Sequence, residues 1–345
     1  MNNFNNINYP APEQVYKVLV RCFTFNHSKY IEKSLNGFAM QQTNFPFVCL
    51  VMDDASTDGE QKVIKDWMER ECDMSKSETI DIPTSSVFIV PHKTNASCTF
   101  AFYLLKQNLY GTGDKKMNHV YPWREKTKYE AICEGDDYWT DPLKLQKQID
   151  FLENNPEYGM CYTKARHFFQ NEMRFRSKDR GGPNETFTEF LGKNTVPTLT
   201  VVYKNELHRN YIKEIQPDSQ GWAMGDYPAW LWFAQNSKIK FLPEVTGVYR
   251  ILTNSAAHSP VFKKNVAFIN STFDIKRFFL SKYPQDRITL EDLEQQRIQR
   301  LFSLAFNHKE DEAIKEYYSL LNNKTFSIYI KYWIRRHLWK FNHKK

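Results

Sequence analysis

Short apolar runs alternate with amphipathic helical patterns along most of the chain, and this alternation limits the possible folds more than any other feature. Strands that alternate with helices form a parallel sheet, because each helix carries the chain back across the sheet before the next strand begins. The sequence therefore predicts an α/β fold with a doubly wound central sheet. Strands are predicted at 15–25, 45–52, 87–90, 129–133, 159–163, 198–203 and 238–241, and helices at 29–42, 60–71, 96–109, 144–152 and 227–235.

The end of the chain differs from the rest in both pattern and charge. From about residue 262 the pattern is helical only. Residues 261–345 contain 17 Lys and Arg against 9 Asp and Glu, whereas the whole chain has a formal net charge of +7, so the basic excess belongs to this region. We expect a leader over 1–14, an α/β domain over 15–260 and a helical, basic C-terminal region over 261–345.

Composition excludes several classes of protein. No apolar run approaches the roughly 18 residues of a transmembrane helix, and the Asn-rich start lacks the basic and apolar regions of a signal peptide. No nucleic-acid motif accompanies the basic tail, so nucleic acid is not an expected partner. The cysteines are far apart and form no CxxC pair, which predicts buried free thiols in a reducing compartment, with the cytoplasm as the default location. They are Cys22, Cys49, Cys72, Cys98, Cys133 and Cys161.

Two acidic clusters each follow a predicted strand. Asp53 and Asp54 end the second strand, and Glu134, Asp136 and Asp137 follow the strand at 129–133. The carboxyl ends of parallel strands lie at one edge of the sheet, where open α/β sheets bind ligands. Close carboxylates repel one another unless a cation lies between them, and a hard divalent cation on substrate phosphates is a natural occupant. The alternatives are a solvated acidic turn for the second cluster and a cap of the next helix for the first.

At this point the chain resembles the family 2 glycosyltransferases of the GT-A fold, over about residues 15–260. The matching elements occur in the family's order along the chain. They are Phe23-Thr24-Phe25-Asn26 at the end of the first strand, Val51 to Gly59 around the Asp-Asp pair, Glu134 to Trp139 as the DXD-type element, Gly225-Asp226-Tyr227, and Val248-Tyr249-Arg250 with Asn254-Ser255.

The resemblance implies a Rossmann-like nucleotide-sugar-binding domain with a mixed central sheet. In that family the equivalent of Asp54 contacts the base of the nucleotide-sugar donor, most often UDP, and Thr24 and Phe25 would line the base pocket. Asp136 would hold the ribose and, together with Asp137, the Mg²⁺ or Mn²⁺ that bridges the diphosphate.

The resemblance also implies that Asp226 is the general base that deprotonates the acceptor hydroxyl. Independently of the family, displacement of a nucleoside diphosphate needs stabilisation of negative charge on the leaving group, which a divalent cation provides. One carboxylate on the opposite side is then enough for a single displacement, which inverts the anomeric centre. On the residues alone, the N-cap of the helix at 227–235 is the favoured interpretation of Asp226.

Several positions depart from the family pattern or stay open. Phe25 replaces the usual Tyr, which removes a hydroxyl but keeps a ring for stacking. The segment at 111–128 is an apparent insertion, either a lid or acceptor contact or a plain surface loop. Glu134 is the first position of the DXD-type element, and its role as a ligand is open. His258 is either a further metal or diphosphate ligand or a solvated side chain, and Arg250 pairs either with the diphosphate or with a carboxylate.

The last thirty residues carry a separate signal. From residue 317 to 345 there are seven Lys and Arg and no acidic residue, and large apolar side chains recur near one helical face. A basic amphipathic helix with Trp is suited to an anionic lipid surface, which predicts possible peripheral contact with the inner face of the membrane. The alternative is a helix packed on the rest of the protein with a solvated basic rim.

The sequence thus predicts an inverting, metal-dependent glycosyltransferase that uses a glycan or a lipid-linked acceptor in cell-surface polysaccharide synthesis. Two other functions are weighed against it. A sugar nucleotidyltransferase would need a Gly-rich basic loop after the first strand, and residues 23–27 are not one. A non-catalytic carbohydrate- or membrane-binding relative of the same fold would not need all four carboxylates, which are Asp54, Asp136, Asp137 and Asp226.

Overall fold

The computed structural model describes residues 14–110, 115–252 and 260–342, together with Pro10 and Pro12. Within these ranges the strands belong to one mixed sheet with the order β3-β4-β5-β2-β1-β6-β10-β8-β11-β7, and β9 pairs with the end of β8. This confirms the predicted α/β class with a mixed central sheet. The strands are β1 Tyr16–Thr24, β2 Phe47–Asp53, β3 Glu78–Ile82, β4 Ser85–Pro91, β5 Cys98–Leu105, β6 Thr127–Ile132, β7 Tyr138–Trp139, β8 Tyr158–Phe169, β9 Arg174–Phe175, β10 Val202–Lys204 and β11 Lys238–Ile251.

Helices cover the sheet and then form the C-terminal region, as the sequence predicts. The first helix, for example, buries Ile31, Leu35 and Phe38 at the spacing of one helical face. The helices are α1 Ile31–Ala39, α2 Glu60–Glu71, α3 Lys116–Glu125, α4 Lys144–Asn154, α5 Phe187–Gly192, α6 Asn205–Ile215, α7 Asp226–Asn236, α8 Phe262–Lys282, α9 Leu290–His308, α10 Asp311–Leu320 and α11 Phe326–Asn342.

Four neighbouring parallel strands determine where a site can form. Strand β1 pairs in parallel with β2 and β6, and β2 pairs in parallel with β5. All seven residues of β2 are buried, as expected for a central parallel strand covered on both faces. The carboxyl ends of β1, β2 and β6 therefore lie at the same edge of the sheet.

The sheet separates two apolar cores. On one face Val18, Val20 and Cys22 of β1 join α1, α2 and α4, and on the other face Leu19 joins Val120 and the indole of α3. Alternate residues of one strand thus contribute to both cores, which is the period-2 geometry of a strand. Whether a side chain occupies an odd or an even position of a strand consequently decides which face of the sheet it lies on.

The predicted helix at 96–109 is wrong. The structure has strand β5 there, between antiparallel β4 and parallel β2. Seven of its eight residues are buried, including Phe100 and Phe102, whose rings stack at 5.2 Å. A strand that is buried on both faces has a continuous apolar run without the alternation of apolar and polar residues. Because such a run cannot be told from a buried helix by its periodicity, the sequence predicted a helix here.

The segment at 111–128 is not a plain surface loop. Its described part forms α3, and the buried Trp123 donates from Nε1 to the hydroxyl of Tyr103 at 2.7 Å. Arg124 is also buried and donates to Glu130 of β6. The alternative of a plain surface loop is therefore wrong for the described residues, because Val120 and Trp123 anchor this helix in the core, and a role as lid or acceptor contact stays a prediction.

The described chain divides into two compact units that alternate along the sequence. One unit comprises the residues up to Ile215 and Phe233–Ile251, and the other comprises Gln216–Trp232 and the residues from Leu252 onward. The predicted domain limits at residues 14 and 260 stay a prediction. All six cysteines are buried free thiols, as expected. No helix in the described ranges is long and apolar enough to cross a membrane.

Candidate active site

The second acidic cluster forms a tight turn directly after β6, which we call the acidic turn (residues 134–137). Its backbone continues the pairing with β1, since the N–H of Gly135 donates to the carbonyl of Phe23 at 3.0 Å. The hydroxyl of Ser34 in α1 donates to the carbonyl of Gly135 at 2.9 Å and to that of Asp137. Both neighbouring elements therefore hold the turn at the carboxyl edge of the sheet.

Glycine is required at position 135 by the packing of the turn. A Cβ at this position would lie 2.1 Å from Oγ1 and 2.5 Å from Cβ of Thr24. The turn backbone therefore lies directly against the last residue of β1, with no room for a side chain. This contact fixes the distance between the two strand ends.

Arg250 of β11 holds the acidic turn from the other side. Its backbone N–H donates to Oδ1 of Asp137 at 2.7 Å, and its Nε donates to the carbonyl of Asp136 at 2.7 Å. Its Nη1 donates to Gln170 at 2.6 Å, and its guanidinium lies 4.5 Å from the ring of Tyr30. Arg250 thus binds the backbone of the turn, which the sequence alone did not indicate.

The two aspartates of the turn differ in environment. Asp137 is buried, and burial, followed by the negative charge of Asp136, raises its pKa well above the usual range. Asp136 is only partly buried. A cation between them would offset both the repulsion and the burial of charge.

The donor set of the turn fits Mg²⁺ or Mn²⁺. Carboxylate oxygens are the ligands that such hard cations take, and Mg²⁺ is commonly bound by one or two carboxylates with substrate phosphates supplying the rest. No group of three or more His, Cys, Asp or Glu side chains suited to a metal occurs within the described residues. Two protein carboxylates completed by a diphosphate therefore match this turn better than a metal held by the protein alone.

The loops after β1 and β2 are joined through Glu60, at the start of α2. Its carboxylate accepts hydrogen bonds from the hydroxyl of Thr24, from the backbone N–H of His27 at 2.7 Å and from the hydroxyl of Ser56 at 2.9 Å. Glu60 is fully buried, and burial raises its pKa. Glu60 thus stabilises the loops at the carboxyl ends of β1 and β2 from the interior of the protein. The sequence did not predict this role, because nothing nearby distinguishes Glu60 from a solvated glutamate at a helix N-terminus.

Asp53 and Asp54 face opposite sides of the sheet. Asp53 is buried, and its Oδ1 accepts from the N–H of Ser56 at 3.0 Å and from Gln61 at 2.7 Å, so it shapes the loop before α2, whereas the N-cap position of that helix is Gly59. Asp54 is also buried, with Oδ1 accepting from the N–H of Leu109 at 2.7 Å and Oδ2 paired with Lys116 at 3.1 Å. The carboxylate expected to meet a nucleobase is thus covered by a lysine from α3.

The residues at the end of β1 alternate between the two faces. The hydroxyl of Thr24 also lies 3.1 Å from Nδ1 of His27, so this buried side chain serves the interior. Phe25 is 41% exposed, as a ring that stacks on a ligand would be. Phe23 packs with the core on the α3 side, and Lys116 lies 5.4 Å from its ring. Phe23 and the carboxylate of Asp54 thus share Lys116 as a neighbour, and the alternation of side chains along the strand was the signal for this.

A buried ion network adjoins the acidic turn. Glu130 of β6 accepts from Arg21 at 2.9 Å, from Arg124 at 2.6 Å and from the hydroxyl of Tyr203 at 2.7 Å. Burial opposes the charge of Glu130, but the two guanidinium groups lower its pKa far below the usual range. Arg21 also approaches Glu134 at 3.9 Å, which gives Glu134 a partner within the protein.

The remaining predicted site residues belong to other parts of the sequence. Asp226 belongs to the second unit, at the first position of α7, where its Oδ1 accepts from the N–H of Tyr227 at 2.7 Å. Asp226 is thus the first residue of the helix and not the residue before it, and its role as base or as helix cap stays a prediction. His258, Asn254 and Ser255 lie outside the described residues.

Comparisons with known proteins give sequence relatives without an established role. No protein-family model matches the chain. The chain is 26% identical over 298 residues to the uncharacterized protein Rv1520 of Mycobacterium tuberculosis, which covers 84% of this chain and 69% of that protein. The uncharacterized protein Mb1547 of Mycobacterium bovis matches to the same extent.

Solved structures that are similar to this chain have low sequence identity. Staphylococcus aureus TarS matches with a TM-score of 0.48 and 16% identity, covering 84% of this chain and 43% of TarS, so the chain spans less than half of that protein. The mannosyltransferase PcManGT from Pyrobaculum calidifontis, in complex with GDP-Man and Mn²⁺, matches with a TM-score of 0.47 and 13% identity, covering 97% of this chain and 90% of the other. Both TM-scores are below 0.5, so these similarities carry no conclusion about the function of this chain.

Proposed function

We propose that the chain is an inverting, metal-dependent glycosyltransferase of the GT-A type that uses a nucleotide-sugar donor, with UDP as the expected nucleotide. One observation carries the proposal. The acidic turn with Asp136 and Asp137 lies at the same sheet edge as the ends of β1 and β2, and Ser34 and Arg250 hold its backbone. Together with the ordered motifs of the family 2 glycosyltransferases, this placement supports a donor site.

Asp136 and Asp137 would hold the divalent cation, with Asp136 also contacting the ribose. The cation, when bound, neutralises the charge that develops on the departing diphosphate. Binding it would favour the ionised form of Asp137, whose pKa burial raises. Arg250 contributes positioning, since its contacts to Asp136 and Asp137 hold the turn in one conformation.

Asp54 would accept a hydrogen bond from the nucleobase, with the exposed ring of Phe25 stacking nearby and Thr24 supporting the pocket from below. For Asp54 to do so, the ammonium group of Lys116 must move from its position 3.1 Å from Oδ2. The lysine side chain is 32% exposed but that of Asp54 only 2%, so once Lys116 moves away the nucleobase must supply the hydrogen bond that the buried carboxylate loses.

The reaction would be a single displacement at the anomeric carbon. The acceptor oxygen forms a bond to that carbon while the bond to the diphosphate oxygen breaks, and the nucleoside diphosphate leaves with the electron pair. The acceptor proton passes to the carboxylate of Asp226 as general base. One displacement inverts the anomeric configuration.

The acceptor would be a glycan or a lipid-linked glycan of the cell surface, with the protein in the cytoplasm and bound to the inner face of the membrane. Helix α11 supports this proposal. One side of α11 packs against α10 of the same unit, where Tyr332 stacks on Tyr318 at 3.7 Å and Arg335 pairs with Asp311 at 2.8 Å.

The opposite side of α11 is an exposed apolar stripe. Its side chains are between 36% and 78% exposed and follow the spacing i, i+3, i+4, i+7, i+8, which is one continuous helical face. Such a face, with Lys331 beside it, fits the interface of an anionic lipid surface. The stripe consists of Phe326, Tyr329, Ile330, Trp333 and Ile334.

Activity is tested by measuring nucleotide release from UDP-, GDP- and CDP-sugars with Mn²⁺, with and without candidate acceptors. Asp226→Asn is expected to reduce turnover by about 10²- to 10⁴-fold, the usual contribution of a general base, and to leave donor binding unchanged. Asp218→Asn removes an exposed carboxylate of the same unit and should behave as wild type. Full activity of Asp226→Asn would overturn the assignment of the base.

A further inference from the structure

A row of basic side chains extends from the sheet beside the acidic turn. Arg174, Arg176, Lys178 and Arg180 occupy every second position after the turn that follows β8, and the first three are exposed and Arg180 half-buried. Arg174 and Arg176 are separated by one residue of extended backbone, so they lie about 7 Å apart on the same side. We call residues 164–180, which include the end of β8 and all of β9, the basic hairpin.

The backbone register of the basic hairpin is well defined. Arg174 lies opposite Phe169 in the β8–β9 ladder, the N–H of Arg176 donates to the carbonyl of His167 at 2.8 Å, and Arg180 and Ala165 exchange two hydrogen bonds of 2.8 Å. Arg176 pairs with His167, and Arg180 pairs with Ala165. Three residues separate the first members of these two pairs, whereas a single residue of β8 separates the second members. Lys178 is therefore at the centre of a bulge, while both flanks are tied to β8.

Few anionic groups offset the charge of this hairpin. Residues 164–180 contain six Lys and Arg but only Glu172 and Asp179. Glu172 pairs with Arg174 at 2.5 Å, and the other three basic residues of the row have no ion pair within the described part of the chain. Arg166 lies 3.8 Å from the ring of Phe175, so a cation covers the hairpin's most exposed ring. Clustered like charges repel, and an anionic partner would relieve that repulsion.

The basic hairpin is joined to the acidic turn through two side chains. Gln170, at the hairpin's turn, accepts from Nη1 of Arg250 at 2.6 Å, and Arg250 donates from Nε to the carbonyl of Asp136 at 2.7 Å. The backbone N–H of Gln170 also donates to the carbonyl of Ile251 at 3.2 Å. The row of cations therefore begins next to the residues proposed to hold the donor.

We propose that the basic hairpin binds an anionic acceptor glycan, a chain of sugars that carries carboxylate or phosphate groups, and directs it toward the donor. The identification of this glycan as the acceptor rests on the proposed function, but the binding of an anionic glycan to the hairpin does not. A glycan is favoured over a lipid surface because the hairpin's basic side chains outnumber its exposed large apolar ones, Met173 and Phe175, which are too few for a membrane-binding face. It is favoured over nucleic acid because the hairpin's most exposed ring, Phe175, already has Arg166 over it, so the hairpin offers no row of exposed rings on which bases could stack.

The test is binding of a fluorescent oligogalacturonate, which carries one carboxylate per sugar, measured by anisotropy at increasing salt. A neutral malto-oligosaccharide of equal length is the matched ligand. Wild type is expected to bind the oligogalacturonate with an affinity that falls as salt rises, and Arg176→Ser/Lys178→Ser to bind about tenfold or more weakly. The control Lys62→Ser/Lys65→Ser removes the same charge from the exposed side of α2 and should change the affinity less than about twofold.

Several outcomes would overturn the inference. These are equal losses in the two double variants, equal binding of the neutral oligosaccharide, or tighter hairpin-dependent binding of single-stranded DNA or of phosphatidylglycerol vesicles at matched charge. A thermal shift with nucleotide and Mn²⁺ in the hairpin variant shows that it is folded. If that shift is present but glycan binding is unaffected, this inference fails alone. If the shift is absent from wild type as well, the proposed donor site fails.

Discussion

At the scale of single residues, a small number of close contacts to its backbone hold the acidic turn in place. Gly135 lies against Thr24, Ser34 binds two carbonyl groups of the turn, and Arg250 binds a third. Of the proposed metal-binding carboxylates, that of Asp137 also accepts a hydrogen bond from the backbone N–H of Arg250. These contacts set the position of Asp136 and Asp137 before any ligand arrives, which lowers the cost of ordering the site on binding.

Gly135→Ala tests this packing. The new Cβ would lie 2.1 Å from Oγ1 of Thr24, so the turn or the strand end must move. We expect a loss of about 1–3 kcal/mol in the free energy of unfolding, as for other overpacked positions, and weaker metal-dependent donor binding. Gly192→Ala is the control, since its Cβ would meet no atom within 4 Å. Equal melting temperatures for Gly135→Ala and wild type would contradict the described packing.

Lys144 provides a prediction on pH. It is buried at the start of α4, beside the ring of Trp139 at 4.2 Å and 2.7 Å from Oε1 of Gln148, and burial lowers its pKa to about 7. The unfolded chain binds this proton up to a pH near 10.5, so between about pH 7 and pH 10 unfolding takes up a proton and stability rises with pH. From pH 7 to pH 9 the gain from Lys144 is about 2 kcal/mol.

Lys144→Met should therefore flatten the rise of melting temperature between pH 7 and pH 9. Some slope will remain, because burial also lowers the pKa of Lys276 to about 7. Lys147→Met, at a more exposed position of the same helix, should keep the wild-type slope. An unchanged slope in Lys144→Met would show that this ammonium group is not buried as described.

At the scale of secondary-structure elements, the sequence was most informative where periodicity was strong. Helix α2 begins and ends at the predicted residues, and β1 and β2 differ from prediction by one or two residues at their ends. Strand β5 was mistaken for a helix because its apolar run has no alternation. Strands β8 and β11 are much longer than predicted, because their second halves carry the polar residues of the basic hairpin and of the segment around Arg250.

The candidate site was only partly predictable for a similar reason. Acidic residues after strands are visible in sequence, and the parallel pairing of β1, β2 and β6 places their ends at one edge, as expected. Contacts between distant residues are not visible. Asp54 and Lys116 are 62 positions apart, and Asp137 and Arg250 are 113 apart. The sequence therefore indicated the carboxylates but not the groups that hold or cover them.

Helix α11 gives the prediction that belongs to this scale. Ile330→Glu/Trp333→Glu places charge on the exposed apolar stripe, and we expect at least a tenfold loss of binding to vesicles that contain phosphatidylglycerol. The melting temperature should change little, because both side chains are exposed. Binding is measured by sedimentation with sucrose-loaded vesicles.

The control for this experiment is Leu320→Glu, which charges an exposed apolar residue of α10 away from the stripe. It should bind vesicles as wild type does. Binding to vesicles of phosphatidylcholine alone should be weaker than to anionic vesicles, since Lys331 and the basic tail contribute through charge. If wild type fails to sediment with anionic vesicles, the stripe has another partner and the membrane proposal fails.

At the scale of the whole molecule, the two units carry different parts of the proposed function. The unit with the sheet contains Asp54, the acidic turn and the basic hairpin, and the other unit contains Asp226 and the stripe of α11. Donor binding and acceptor activation are therefore separable by mutation. Changes in the acidic turn should abolish binding of metal and nucleotide together, whereas Asp226→Asn should affect turnover alone.

The most direct test of the central claim is thermal stability with UDP, GDP and CDP, each with and without Mn²⁺, in wild type and in Asp137→Ala. A ligand that binds only the folded state raises its stability in proportion to the occupancy of the site. We predict an upward shift with UDP and Mn²⁺ together, a much smaller shift with either alone, and no shift in Asp137→Ala. No shift of wild type with any pair of nucleotide and metal would contradict the assignment of the acidic turn as a donor site.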